Sequence, residues 1–246
     1  MSHPLASYAA VVRPVVDRLH VGVRHASRPA VRELYAPLGL LPGLEINLLY
    51  AMLDHPVPEA AVAARMVYLP FAAGAEEARG LAVRSGGSWD WTERGRELAV
   101  GVEGALAAAA EALWSFTPSP ALAGVSAVEA ALPLVGRLLE AGAARGGPVF
   151  AAFTPTWEAP GASAAGLLVS RLEALRHHRA DAHRAAWAAA GLSVDEVVAL
   201  ESGPMWEQVE AETNRLDAPI YEALDARERL VLLGALGALG DGLRPE

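Results

Sequence analysis

The chain contains no cysteine. That removes disulfides, Cys-ligated zinc, iron–sulfur clusters and thiol catalysis from consideration. Lysine is absent too, so all 20 basic residues are arginine. Alanine fills about a fifth of the chain, roughly twice an ordinary share. Such usage is that of a GC-rich genome, an actinobacterium's for instance. Long apolar runs are also missing. Val102–Trp114 is interrupted by Glu103 and Glu111 and falls short of the roughly 18 apolar residues that span a bilayer. The N-terminal stretch MSHPLASYAAVVRPVVDRLH carries charges throughout, unlike a signal peptide. The expectation is a soluble, cytoplasmic protein with no membrane partner. Positive charge is in deficit, with a formal net charge of −9. An acidic surface disfavours nucleic acid, whose phosphates must be neutralised on binding.

What is present is a globular composition, 53% hydrophobic and 20% charged, patterned mostly at helical spacing. Val11, Val12, Val15, Val16 and Leu19 mark a helix from Pro4 to about His25, and Pro29–Tyr35 reads as a second one. Leu44–Leu53 is a compact apolar helix. Pro58-Glu59 opens the next, and Phe71–Gly80 is a third, short one. Leu81–Arg84 and Ser88–Trp91 flank Gly86-Gly87, the signature of a hairpin. Thr92 then caps a long helix. Thr117–Gly124 is a linker by composition. Helices follow at Ala127–Ala144, Ser163–His178, Pro204–Leu216, Pro219–Leu224 and Glu228–Leu239. Gly146–Gly161, with Phe150, Phe153 and Trp157, reads as an irregular loop.

Three helices, a hairpin and a helix are the order of a winged helix. The string ARGLAVRSGGSWDWTERGRELA resembles the hairpin and following helix of MarR-type regulators, the match lying on Ala78–Leu81 and Trp91–Leu98. Over most of its length the chain also resembles a group of actinobacterial MarR-like proteins with an HRxDxH motif before an Ala-rich helix. Here His178-Arg179, Asp181 and His183 carry that motif, followed by Ala186–Leu192. The resemblance implies a helix-turn-helix framework and no particular activity.

The run Leu175–Leu200 echoes Met52–Gly80, with Asp54-His55 opposite His177-His178. The echo predicts an internal duplication. The fold class is then mainly α, an internally duplicated winged-helix (MarR-like) architecture with one small hairpin wing and long packing helices. Residues 1–116 form one half, 117–124 the linker, and 125–246 a second half with a reduced wing. Such a chain would act as a monomer mimicking the symmetric MarR dimer, or as a homodimer.

Recognition helices of this class present basic side chains to DNA. Here Phe71–Gly80 offers Glu76, Glu77 and one arginine, and Ser193–Ser202 offers Asp195, Glu196 and Glu201. Both candidate reading faces are acidic, so DNA is a disfavoured partner. His178, Asp181 and His183 are ligand-capable groups. On an unbroken helix His183 points about 140° from His178. A shared site therefore needs a break between them, which Pro56-Val57-Pro58 predicts by analogy, with Asp181 as the helix cap. Packing the halves together would surround a mostly apolar cavity with Tyr50, His55, His178, Arg179, Asp181, His183 and Trp187, the usual make-up of a small-molecule site. No nucleophile elbow, phosphate-cradling loop or HExxH is present, so no metal or cofactor is assigned. Three readings follow: a small-organic-ligand binder with a degenerate DNA face, a ligand-responsive DNA-binding regulator, or a His/Asp-based or metal-dependent enzyme.

Overall fold

The computed structural model describes residues 3–69 and 71–243, with only the backbone of Glu45. The outer bounds of the two sequence halves, 1 and 246, lie outside them. The protein is mainly helical, with one small three-stranded antiparallel sheet.

Helix α1 (Ala6–Tyr35) is a single helix, not the two that Pro29 suggests. Val12, Val16, Leu19, Val23, Val31 and Tyr35 form its buried stripe. Pro14 and Pro29 both sit on the exposed face, as do Ala10 and His25 four residues back. An interior proline strips a carbonyl of its helical donor. On the wet face water replaces that donor, and the buried stripe carries the helix through.

Helix α2 (Leu44–Asp54) ends where His55 turns extended. Strand β1 (Val57–Pro58) then precedes α3 (Glu59–Arg65) and α4 (Ala73–Ala78). Strands β2 (Ala82–Ser85) and β3 (Ser88–Trp91) form the expected hairpin. The sheet order is β1-β3-β2, with Val57 opposite Trp89 and Pro58 opposite Ser88. The sequence reading has no strand at β1. Two residues are too few for periodicity, and proline is tolerated there because the strand is an edge. In α5 (Glu93–Trp114), Thr92 accepts from the Gly95 amide at 3.0 Å. A Cβ at Gly95 would sit 1.7 Å from the Leu81 carbonyl oxygen. The TxxGR string is thus a packing requirement of the hairpin–helix joint.

The expected linker is pinned across its base by Ser119 and Ala127 amides on the Val125 and Thr117 carbonyls. Helix α6 (Ala127–Ala143) starts on a Ser126/Glu129 capping box. The stretch read as irregular contains a short helix, α7 (Pro148–Ala152). Helix α8 (Ala164–Ala189) is continuous, which corrects the break expected between His178 and His183. No proline or glycine falls between Gly166 and Gly191, and alanine dominates after His178, so propensity favours continuation. Helices α9 (Val194–Val198), α10 (Pro204–Asp217) and α11 (Ala226–Ala238) follow, with a 3-10 turn at Ala218–Ala223.

Helix α8 packs against α5, α6 and α10, and α1 lies along α5, α8 and α10. One continuous apolar core runs from Ala9 to Leu239, through both sequence halves. No helix among the described residues is long and apolar enough to cross a membrane.

Candidate functional site

The polar run of α8 is distributed by helical geometry. Leu175, Arg176, Arg179, Ala180 and His183 recur every three or four residues and share one face. That face looks onto a cavity of about 310 Å³ walled by α1 and α10. Its apolar part comes from Val12, Val16, Leu175 and Ala180; exposed Tyr68 and half-buried His183 stand at its rim, and buried Thr213 and Tyr221 lie deeper in its lining.

One wall is ionic. Arg13 Nη1 lies 2.9 Å and Arg179 Nη2 3.2 Å from the same Glu210 oxygen. Asp17 takes Arg13 Nε at 3.3 Å and Arg176 Nε at 2.9 Å. These pairs tie α1, α8 and α10 together around the cavity.

His183 has a defined tautomer. The Thr213 hydroxyl donates its only proton to the Val209 carbonyl at 2.7 Å. Towards His183 Nδ1, 3.3 Å away, Thr213 can therefore only accept, so Nδ1 carries the proton. Burial, above all, holds the His183 pKa below the ordinary histidine value. The neutral ring then keeps its lone pair on Nε2. Across the rim, Tyr68 accepts from Trp187 Nε1 at 2.7 Å, which leaves the Tyr68 hydroxyl proton available as a donor.

The other expected site residues are placed elsewhere. His178 is buried, with Nδ1 2.8 Å from Asp217 and its ring edge-on to Phe150. Asp217 also takes Arg179 at 3.4 Å, so His178 and the cavity wall share that carboxylate. His55 meets the Asp54 carboxylate at 2.9 Å and the Ala152 carbonyl at 3.0 Å, against the end of α7. Trp187 reaches the cavity only through Tyr68. Tyr50 is buried beside a separate pocket of about 10 Å³ that Glu173 and His177 also line.

Asp181 does cap a helix, though not its own. It accepts the Phe150 amide at 2.7 Å and the Val149 amide at 3.4 Å, which closes the N-terminus of α7, and it pairs with Arg184 at 2.8 Å. Gly147 makes this possible, since a Cβ there would lie 2.5 Å from the Asp181 carboxyl carbon. Asp181→Ala should cost about 1–3 kcal/mol, because buried amides lose their acceptor. Asp181→Asn, which keeps an acceptor oxygen, should cost less. Urea denaturation of both variants checks this, and equal losses would show that the cap is not the cause.

Behind the cavity lies a hub the sequence did not disclose. Glu173, 4% exposed, takes His20 Nδ1 at 2.6 Å and Arg176 Nη1 at 3.4 Å. Arg65, Arg24 and His177 stand 3.7–3.8 Å from its other oxygen. Burial raises its pKa, but the His20 hydrogen bond and the nearby Arg24 and Arg176 guanidiniums hold it well below the usual carboxylate value. Burial drives the His177 pKa down to about 3, so His177 is neutral.

Among the described residues no group of three or more His, Asp or Glu is placed to hold a metal ion. Sequence reasoning missed Arg13, Asp17, Tyr68, Arg176, Glu210, Thr213 and Tyr221. Arg13 and Glu210 are 197 residues apart, and nothing in either neighbourhood announces the pairing. No family model, curated protein or solved structure matches the chain.

Proposed function

We propose that the protein binds a small organic ligand in the cavity between α1, α8 and α10, on a duplicated MarR-like framework whose DNA-reading face is worn away. The observation that carries this reading is the cavity itself. It has an apolar body, a few placed polar groups, and the volume of an ordinary small-molecule site. Arg179 and His183 of the HRxDxH run stand in its wall.

The framework reading is supported by the order α2-β1-α3-α4-β2-β3-α5 with a β1-β3-β2 sheet. In each half a short helix with at least one acidic residue in its first turn precedes a longer packing helix, α4 before α5 and α9 before α10. The unbroken α8 has no counterpart to the α2–β1–α3 break, so the echo is not exact along that stretch. The cations of the candidate reading helix and wing are engaged. Arg79 pairs with Glu76 at 3.3 Å. Arg84 pairs with Glu77 at 2.6 Å and lies over the Trp89 ring. Phosphates would have to displace these carboxylates.

Ala180 lines the cavity from a half-buried position on α8, so Ala180→Trp would fill it without opening the core. The neutral fluorophore N-phenyl-1-naphthylamine should bind the wild-type protein and bind Ala180→Trp at least tenfold more weakly, with thermal unfolding unchanged in kind. Equal binding to both proteins would place the probe elsewhere and refute the reading. A steeply salt-dependent titration with duplex DNA would refute the worn DNA face.

A further inference from the structure

We propose that the cavity's ligand is a monoanionic amphiphile, an apolar body bearing one oxyacid group that docks on Arg13, Arg176 and Arg179. This rests on the cavity being the ligand site and adds the ligand's charge. Three guanidiniums face the cavity against two carboxylates, Asp17 and Glu210, with His183 neutral. In the layer behind, Arg24 and Arg65 add two cations, and Glu173 and Asp217 add two carboxylates. The wall thus keeps an excess of one positive charge at either depth, in a protein whose formal net charge is −9.

The hydrogen-bonding inventory agrees with the charge. Each guanidinium has five N–H donors, and the ion pairs in the wall engage two nitrogens of each arginine. Both Asp17 oxygens are occupied, and one Glu210 oxygen serves two arginines. The unspent capacity is therefore mainly donor, which matches an acceptor-rich, singly charged head. An anion there gains charge-assisted hydrogen bonds from a partly desolvated wall. The aliphatic surface of Val12, Val16, Leu175 and Ala180 receives the body.

Displacement of N-phenyl-1-naphthylamine by decanoate, decanol and decylammonium, each below its aggregation limit, tests the proposal. Decanoate should displace the probe at a concentration at least tenfold lower than decanol, with decylammonium weakest. Arg13→Gln should bring decanoate down to the level of decanol. If decanol equals decanoate, or decylammonium is strongest, the charge assignment is overturned while the cavity stands as the ligand site. If none of the three displaces the probe and Ala180→Trp binds it as well as wild type, the cavity reading fails and this inference with it.

Discussion

Glu173→Ala is expected to lower the free energy of unfolding by about 3–5 kcal/mol. Glu173 is one buried carboxylate shared by His20, Arg24, Arg65, Arg176 and His177. A buried ion pair gives little net stability relative to apolar packing, because desolvation offsets the attraction. Removing one partner is different, since the remaining charges stay desolvated and uncompensated. The arginines keep 18–29% of their side-chain exposure and recover some hydration, which puts the effect nearer the lower figure. A single domain has about 5–15 kcal/mol in all, so the variant should sit close to its folding threshold. Arg13→Ala breaks two ion pairs of an arginine that is 43% exposed and should cost about 1 kcal/mol or less. Urea denaturation of the two variants decides the matter. A Glu173→Ala loss no larger than that of Arg13→Ala would mean that the hub does not hold α1, α3 and α8 together.

The second large effect is acid lability centred on His177. Its folded pKa, about 3, lies below the ordinary unfolded value of about 6.5. The unfolded chain therefore takes up a proton that the native ring refuses. The contribution is intact above pH 6.5 and is lost progressively as pH falls towards 3, at about 1.4 kcal/mol per pH unit once the unfolded ring is protonated. The groups facing His177 are Glu173, Arg65, Arg176 and Arg184, with Phe153 edge-on at 4.6 Å. His20 and His183 are shifted in the same direction, each mainly by burial, and contribute with the same sign. Glu173, whose pKa is also lowered, loses its contribution only below the ordinary carboxylate range. His177→Gln should therefore reduce the dependence of unfolding free energy on pH between 6 and 4.5 by about one proton's worth. An unchanged slope would show that His177 is protonated in the native state.

Much of the helical framework was legible because it is written locally. Thr92 as a helix cap and the Gly86-Gly87 turn announce their elements within a few residues, and the structure has them there. The errors came where tertiary context overrides a local rule. Pro14 and Pro29 break no helix because they face solvent. Asp181 reads as a cap and is one, but for α7, more than thirty residues away. Without an imposed break, α8 turns Arg176, Arg179 and His183 to the cavity and sends His177 and His178 into the interior. The candidate site was legible only where it lies on α8. Its other walls, Arg13 and Asp17 on α1 and Glu210 and Thr213 on α10, are ordinary helix-surface residues until packing brings them together.

The most direct test is a crystal structure of the protein with decanoate. Density for the acid is expected between α1, α8 and α10, its carboxylate against Arg13, Arg176 and Arg179 and its chain along Val12, Val16 and Leu175. An empty cavity at saturating decanoate, or density only on the outer surface, would contradict the account.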